Sequence, residues 1–355
     1  MSEGGYGIDS HKLVYHVGRV NDWLEGRDIY PIYIEAAPAG GCNQRCIFCG
    51  LDYTSHKARF MDVTSWKRFV KIASKKGLKS VLLSGEGEPF LHPEISEFSI
   101  SAGKEGVDAA IATNGFLMTE DVSGKVLPAL SWLRVSLDAA TDKTYSLIHG
   151  VRKECFGTVL ENLAKAVKIK KKNGYKVTIG AQFLLLNENI KEVKKAAVIA
   201  RDTGLDYFSV KPYSKHPLSI NEAGTEVDYE GLLRLEKQLE KFSDDGFSVI
   251  FRKSAIKRKL REKSYRRCLG LPFWAYINSA GDVYPCSTFL GLKKYCIGNI
   301  TREKFSDIWE GGKRERVMKV LGGMDARKCR ELCRLDEINT YLWKLKNPPA
   351  HVNFI

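Results

Sequence analysis

The chain has 355 residues, 44% of them hydrophobic, enough for a barrel-sized core and one smaller domain. Its formal net charge is +14, but the basic residues are spread out and do not interleave with aromatics as base-stacking surfaces do, so a nucleic-acid partner is not expected. No apolar run approaches membrane-helix length, the first residues lack a signal-peptide core, and the nine cysteines cluster as metal ligands do; these features predict a cytoplasmic protein without a membrane partner.

An extension over 1–29 leads into alternating strand-like and helix-like runs, the pattern of parallel βαβ units. Strands are predicted at 32–37, 80–84, 109–113, 133–137, 177–185 and 207–211. Amphipathic helices are predicted between them, at 64–75, 93–104, 156–172 and 190–203. This α/β unit covers 30–216. Over 217–267 the alternation weakens into a connector, with a polar helix over 229–242 and a short strand over 247–252. Arginine and lysine crowd the connector from Arg252 to Arg267, as either a soluble surface or the flank of an entrance for an anionic substrate. A cysteine-bearing domain is expected over 268–333. A tail over 334–355 holds a helix to Lys346 that Asn-Pro-Pro stops.

The strongest local signal follows the first strand. Cys42, Cys46 and Cys49 lie in Gly-Gly-Cys-Asn-Gln-Arg-Cys-Ile-Phe-Cys-Gly, a Cys-x3-Cys-x2-Cys run. Three close thiolates can hold three corners of a cubic iron–sulfur cluster, and the fourth iron is then open to a small molecule. Zinc would need a fourth Cys or His, and the nearest histidine, His56, lies across a loop. The second strand runs into Ser84-Gly85-Glu86-Gly87-Glu88-Pro89, where glycines allow close backbone approach to a ligand.

The cysteine run, with Phe48 before its third cysteine, resembles the cluster loop of the radical S-adenosylmethionine (radical SAM) superfamily. The resemblance implies a partial (β/α)6 radical SAM barrel. It also implies a 4Fe–4S cluster whose open iron chelates SAM, and reductive cleavage of SAM to a 5′-deoxyadenosyl radical. Gly87 and Glu88 align with the family's glycine-rich motif for the SAM amino group. Asn114 and Ser136, at the ends of the third and fourth strands, match positions that contact ribose and carboxylate. Asp138 is open between ribose, substrate and a helix cap, and Gln182 falls near the adenine position. An electron donor such as flavodoxin or ferredoxin is implied as a partner.

Farther along, twelve residues separate Cys268 from Gly281, four more lead to Cys286, and Cys329-Arg-Glu-Leu-Cys333 follows. With Gly298-Asn299-Ile300 and Ile308-Trp309 between, this resembles the small α+β SPASM/twitch extension of radical SAM enzymes. Cys268, Cys286, Cys329 and Cys333 would saturate one auxiliary 4Fe–4S cluster. Cys296 reads as a spare filler and Cys155 as structural. A structural zinc ribbon is the alternative for this set.

The resemblance points to an oxidoreductase. The expected chemistry is hydrogen abstraction from a small polar sugar- or cyclitol-type substrate, neutral or anionic, ending in oxidation or epimerisation. Lys211, Tyr213 and His216, after the sixth strand, are candidates for anion binding or proton transfer. Tyr145, His149 and Arg152 are further candidates. The alternatives are a peptide-modifying SPASM maturase and an RNA-binding or RNA-modifying protein.

Overall fold

The computed structural model describes residues 6–223 and 227–354. Residues 1–5 of the predicted extension, 224–226 of the predicted connector and 355 of the tail lie outside them. The strands are β1 (Tyr33–Ala36), β2 (Ser80–Leu83), β3 (Asp108–Thr113), β4 (Trp132–Ser136), β5 (Thr178–Leu185), β6 (Tyr207–Pro212), β7 (Ser248–Phe251), β8 (Trp274–Ile277), β9 (Asp282–Tyr284) and β10 (Gly298–Asn299). They form one sheet in the order β10-β9-β8-β1-β2-β3-β4-β5-β6-β7. Every ladder from β8 to β7 is parallel, whereas β8–β9 and β9–β10 are antiparallel.

The six predicted strands are β1 to β6, and the sheet continues at both ends. β7, which the sequence places in a connector, pairs with β6, Phe208 opposite Val249. β8, from the cysteine-rich region, pairs with β1, Ile34 opposite Ala275. The barrel sheet and the C-terminal sheet are therefore continuous through backbone hydrogen bonds.

The helices that follow are α1 (Val17–Leu24), α2 (Val63–Lys75), α3 (Ile95–Lys104), α4 (Glu120–Val126), α5 (Asp142–His149), α6 (Cys155–Asn173), α7 (Val193–Asp202), α8 (Leu235–Glu240), α9 (Lys253–Lys259), α10 (Phe305–Glu310), α11 (Gly312–Gly323) and α12 (Asp336–Lys346). In α6, Phe156, Val159, Leu163, Ala166 and Val167 recur at helical spacing and are buried. Gly174 ends that helix at φ 66°, a conformation that favours glycine. Helix α2 starts at Asp62, whose carboxylate accepts from Ser65 N.

Strand alternation separates the two faces of the sheet. Leu133 and Val135 of β4 are fully buried in the core beneath the helices. Trp132, Arg134 and Ser136 alternate with them on the opposite, inner face and are half-buried. A smaller cluster of Leu13, Val20, Ile29, Ile32, Phe273 and Leu342 packs α1 against α12. Val352 and Phe354 near the end of the tail are exposed. Among the described residues no helix is long and apolar enough to cross a membrane.

Candidate active site

The Cys42–Cys49 loop leaves the C-terminal end of β1 and is pinned at several points. Arg45 N donates to His149 O and Ile47 N to Ile148 O, both at 2.9 Å, which ties the loop to the end of α5. Gly150 caps α5 at φ 61°, and a Cβ there would lie 2.4 Å from Arg45 O, so the loop and this helix end require a glycine. Gln44, 2% exposed, donates to Tyr145 Oη at 3.0 Å. Arg45 Nη1 donates to Cys42 O at 2.7 Å. From the other side, Asn221 Nδ2 donates to Cys49 O at 2.7 Å.

The three thiols sit close enough to repel one another as thiolates. Burial raises the Cys46 pKa well above the ordinary thiol value, and Cys42 and Cys49 push it further. Burial likewise raises Cys42, to about 11. Thiolates in such a place are stabilised by a cation, so this donor set fits iron. Two histidines flank it: Cys46 Sγ is 3.3 Å from His149 Nδ1 and Cys49 Sγ is 3.8 Å from His56 Nε2. His56 Nδ1 donates to Glu86 O at 2.9 Å. His149 is stacked on Tyr145, and burial drives its pKa down to about 4, so the ring is neutral. The adjacent Asp138 is fully buried at φ 52° and accepts from Leu184 N at 2.6 Å, and burial lifts its pKa to about 7.

The glycine-rich loop after β2 lies directly against the cysteine loop. A Cβ on Gly87 would meet Gly41 O at 1.8 Å, and Glu88 N donates to Gly41 O at 2.9 Å. Glu88, 3% exposed, is engaged within the chain: it accepts from Phe90 N, Thr113 Oγ1 and Asn114 N at 3.0, 2.6 and 2.8 Å. Asn114 in turn donates to Asn43 Oδ1 at 2.7 Å and accepts from Phe116 N at 3.0 Å. Ser136 and Gln182 are register partners across β4 and β5 on the inner face. Phe48 packs edge-on to His149 and in one apolar cluster with Tyr213, Ile148 and Leu184.

The three candidates after β6 separate. Lys211 alternates onto the inner face of the barrel. Tyr213 donates its hydroxyl to Asn221 Oδ1 at 3.0 Å, while its backbone N donates to Tyr229 Oη at 3.0 Å. His216 is buried against the Tyr53 ring, its Nδ1 accepts from Leu218 N at 3.1 Å, and burial takes its pKa down to about 4. The sequence names His56 and His149 but not their approach to Cys49 and Cys46, and the Gln44–Tyr145 bond carries no mark in it, because each partner lies on a separate segment.

The second group of thiols is assembled from three segments. Cys268 precedes β8, Cys286 follows β9, and Cys329 and Cys333 lie between α11 and α12. Gly281 turns the β8–β9 hairpin at φ 82°. Burial raises the Cys268 thiol, and Cys333, Cys286 and Cys329 each raise it further, so all four share one neighbourhood. Cys296 is absent from that group; its Sγ donates to Gly298 O at 3.3 Å, and burial, then the Asp282 charge rather than another thiol, raises it. Asn339 Nδ2 donates to Cys268 Sγ at 3.4 Å and Leu335 N to Cys333 Sγ at 3.3 Å, bonds that stabilise charge on sulfur. Lys263 Nζ donates to the carbonyls of Ala326, Cys329 and Arg330 at 2.9, 3.0 and 2.8 Å, clamping the Cys329 turn. Among the described residues no three His, Cys, Asp or Glu side chains converge as the ligands of a single ion would.

The two cysteine sites are joined. Glu86 accepts from Ser279 N and Oγ at 2.9 and 2.6 Å. Arg330, beside Cys329, donates to Ser214 O at 3.0 Å. Residues 37–198 match the model of the radical SAM superfamily, and residues 268–335 match the SPASM iron–sulfur cluster-binding domain; the two segments span more than half of the chain. The chain belongs to the radical SAM superfamily.

It is similar to an AdoMet-dependent heme synthase of Methanosarcina barkeri, 25% identical over 79% of this chain and 82% of that protein. It is also similar to a probable GTP 3′,8-cyclase of Metallosphaera sedula, 26% identical over 65% of this chain and 66% of that protein. Its fold matches Streptococcus suis SuiB bound to S-adenosylmethionine, with TM-score 0.68 and 18% identity over 94% of this chain and 79% of SuiB. SuiB has also been solved with its precursor peptide SuiA. This radical SAM enzyme uses a 4Fe–4S cluster, SAM and an auxiliary iron–sulfur cluster in its SPASM region.

Proposed function

We propose that this enzyme oxidises a small polar substrate at a hydroxyl-bearing carbon within the barrel. In this reading Cys42, Cys46 and Cys49 hold the SAM-binding cluster, and Cys268, Cys286, Cys329 and Cys333 hold the auxiliary one. The observation that supports it best is the gathering of four thiols at one place while Cys296 stays apart. Four thiolates fill the corners of a cubic cluster, which suits electron transfer rather than substrate binding.

When bound, SAM and its cluster supply a radical that takes hydrogen from the substrate. The chain's own residues do the rest. Gly87 lets the β2 loop reach the cysteine loop, and Glu88 and Asn114 position those loops through their internal hydrogen bonds. Ser136 and Gln182 face the interior side by side, suited to the polar groups of SAM. Phe48 and Tyr213 close an apolar wall that excludes water. Tyr213 and His216 are taken up by contacts within the chain, which leaves Lys211 as the substrate-facing group of the three. A small acidic electron carrier is the expected reductant.

A rival reading is peptide modification, for which the SuiB fold is the supporting observation. Anaerobic incubation of reconstituted protein with candidate substrates, following 5′-deoxyadenosine and substrate mass, tests both. Oxidation removes two mass units from a small substrate. In the Cys329→Ala/Cys333→Ala variant SAM cleavage should persist and oxidised product should fail. Normal product yield from that variant, or a mass change on a peptide alone, would overturn the proposal.

A further inference from the structure

Three guanidinium groups from separate parts of the chain lie within electrostatic reach of Lys211 in β6: Arg134 in β4, Arg252 just after β7, and Arg334 just after Cys333. Arg134 and Lys211 reach the inner face by strand alternation, Arg134 level with Gly180 and Lys211 level with Leu184. Arg334 enters from the auxiliary cysteine region, its Nε 3.1 Å from Glu35 Oε2 on β1 and its guanidinium over the Tyr33 ring. Below Arg134 the interior is stoppered. The Tyr207 ring fills the space a Gly180 side chain would take, and Tyr6 lies against Tyr207 at 5.4 Å.

Two of the four cations have carboxylate partners, Arg334 with Glu35 and Arg252 with Asp9 at 3.4 Å. Among the described residues Arg134 and Lys211 have no ion pair or hydrogen bond of their own. Arg134 rests over the Trp132 ring at 5.1 Å. Asp138 is the carboxylate that favours charge on Lys211, and it is tied to Leu184 N. The Tyr33 hydroxyl, buried and without a hydrogen-bond partner, is within electrostatic reach of Arg134 and Arg334. Burial and the neighbouring guanidinium groups disfavour the charged form of Lys211. Cations buried for structure alone are paired. A guanidinium fork, a lysine amine and a hydroxyl left unpaired within electrostatic reach of one another match the acceptor-rich oxygens of a bound anion.

We propose that the barrel interior takes substrate by an anionic group, a carboxylate or a phosphate, held between Arg134 and Lys211 with the Tyr33 hydroxyl donating to it. This deepens the functional reading above and rests on it for the substrate's place in the barrel. The anion restores the charged state of Lys211 and sets the rest of the molecule above it, towards the cysteine loop.

The test is calorimetric titration of reconstituted, SAM-loaded protein at low ionic strength with glutarate and, separately, pyrophosphate. One of them should saturate a single site per chain, and the one that does identifies carboxylate or phosphate as the source. Arg134→Gln and Lys211→Met should each weaken that binding at least tenfold, and Tyr33→Phe by a smaller factor. Iron content and melting temperature report whether each variant is folded. If Arg134→Gln does not fold, Arg134→Lys keeps the charge, loses the fork, and should still bind more weakly. Saturation by neither anion, or folded variants that bind like the parent, would overturn the proposal. Reductive SAM cleavage by the parent is measured separately. Cleavage without anion binding sinks only the anion site, and anion binding without cleavage sinks only the radical reading.

Discussion

Replacing Gly87 with alanine tests the contact on which the geometry of the site depends. The new Cβ would stand 1.8 Å from Gly41 O and 2.5 Å from Gly41 C. These are backbone atoms of the cysteine loop, so no side-chain rotation relieves the clash. Overpacking of this kind costs roughly 1–3 kcal/mol. Separating the loops also loses the Glu88 N to Gly41 O hydrogen bond, worth about 0.5–1.5 kcal/mol. The sum, on the order of 2–4 kcal/mol, appears as lower stability if the loops stay together and as weaker SAM binding if they part. Taken wholly in binding, it is a loss of roughly 30- to 1,000-fold. The matched control is Gly103→Ala in α3, where a Cβ meets nothing within 4 Å and the helix gains about 0.5–1 kcal/mol. Both variants would be reconstituted anaerobically and compared by iron content, SAM titration and thermal unfolding. A Gly87→Ala protein that matches the Gly103→Ala protein in all three refutes the reasoning.

Other substitutions separate the roles of neighbouring residues. Cys286→Ala should lower iron content and alter the electron paramagnetic resonance of one cluster, whereas Cys296→Ala should leave both unchanged; equal losses would put Cys296 among the ligands. Lys263→Met removes three donated bonds from the Cys329 turn and should cost on the order of 2–4 kcal/mol there, since bonds to a charged donor carry ~1.5–3 kcal/mol each and do not add fully. Its signature is selective loss of the auxiliary signal, and a uniform loss of both clusters would count against the clamp. Glu88→Ala leaves Asn114 N and Thr113 Oγ1 buried without their acceptor, at about 1–3 kcal/mol each. The melting temperature should fall together with SAM affinity, and a fall in affinity with unchanged stability would instead make Glu88 a direct SAM ligand.

What the sequence determined by itself is whatever rides on local spacing. The Cys42–Cys49 run, the six strands with their helices, the glycine of the β2 loop and the Cys268…Gly281…Cys286 opening are each written within a few residues. Periods of 2 and 3.6 and fixed cysteine intervals survive without knowledge of the fold. The tertiary structure alone decided what crosses the chain. β8 is a four-residue run, Trp-Ala-Tyr-Ile, whose partner β1 lies far upstream, and nothing within it names that partner. Glu88 aligns in sequence with a motif for the SAM amino group, and in the fold it is held by three donors, two of them from the end of β3. Arg334, one residue past Cys333, looks like part of the tail, yet its charge enters the barrel beside Glu35. Lys211 is a candidate by its place in the sixth strand, but nothing in the sequence joins Arg134 to it; strand alternation and sheet curvature turn the two inward together. Long-range pairing is fixed by which faces exclude water jointly, and that depends on all the elements at once.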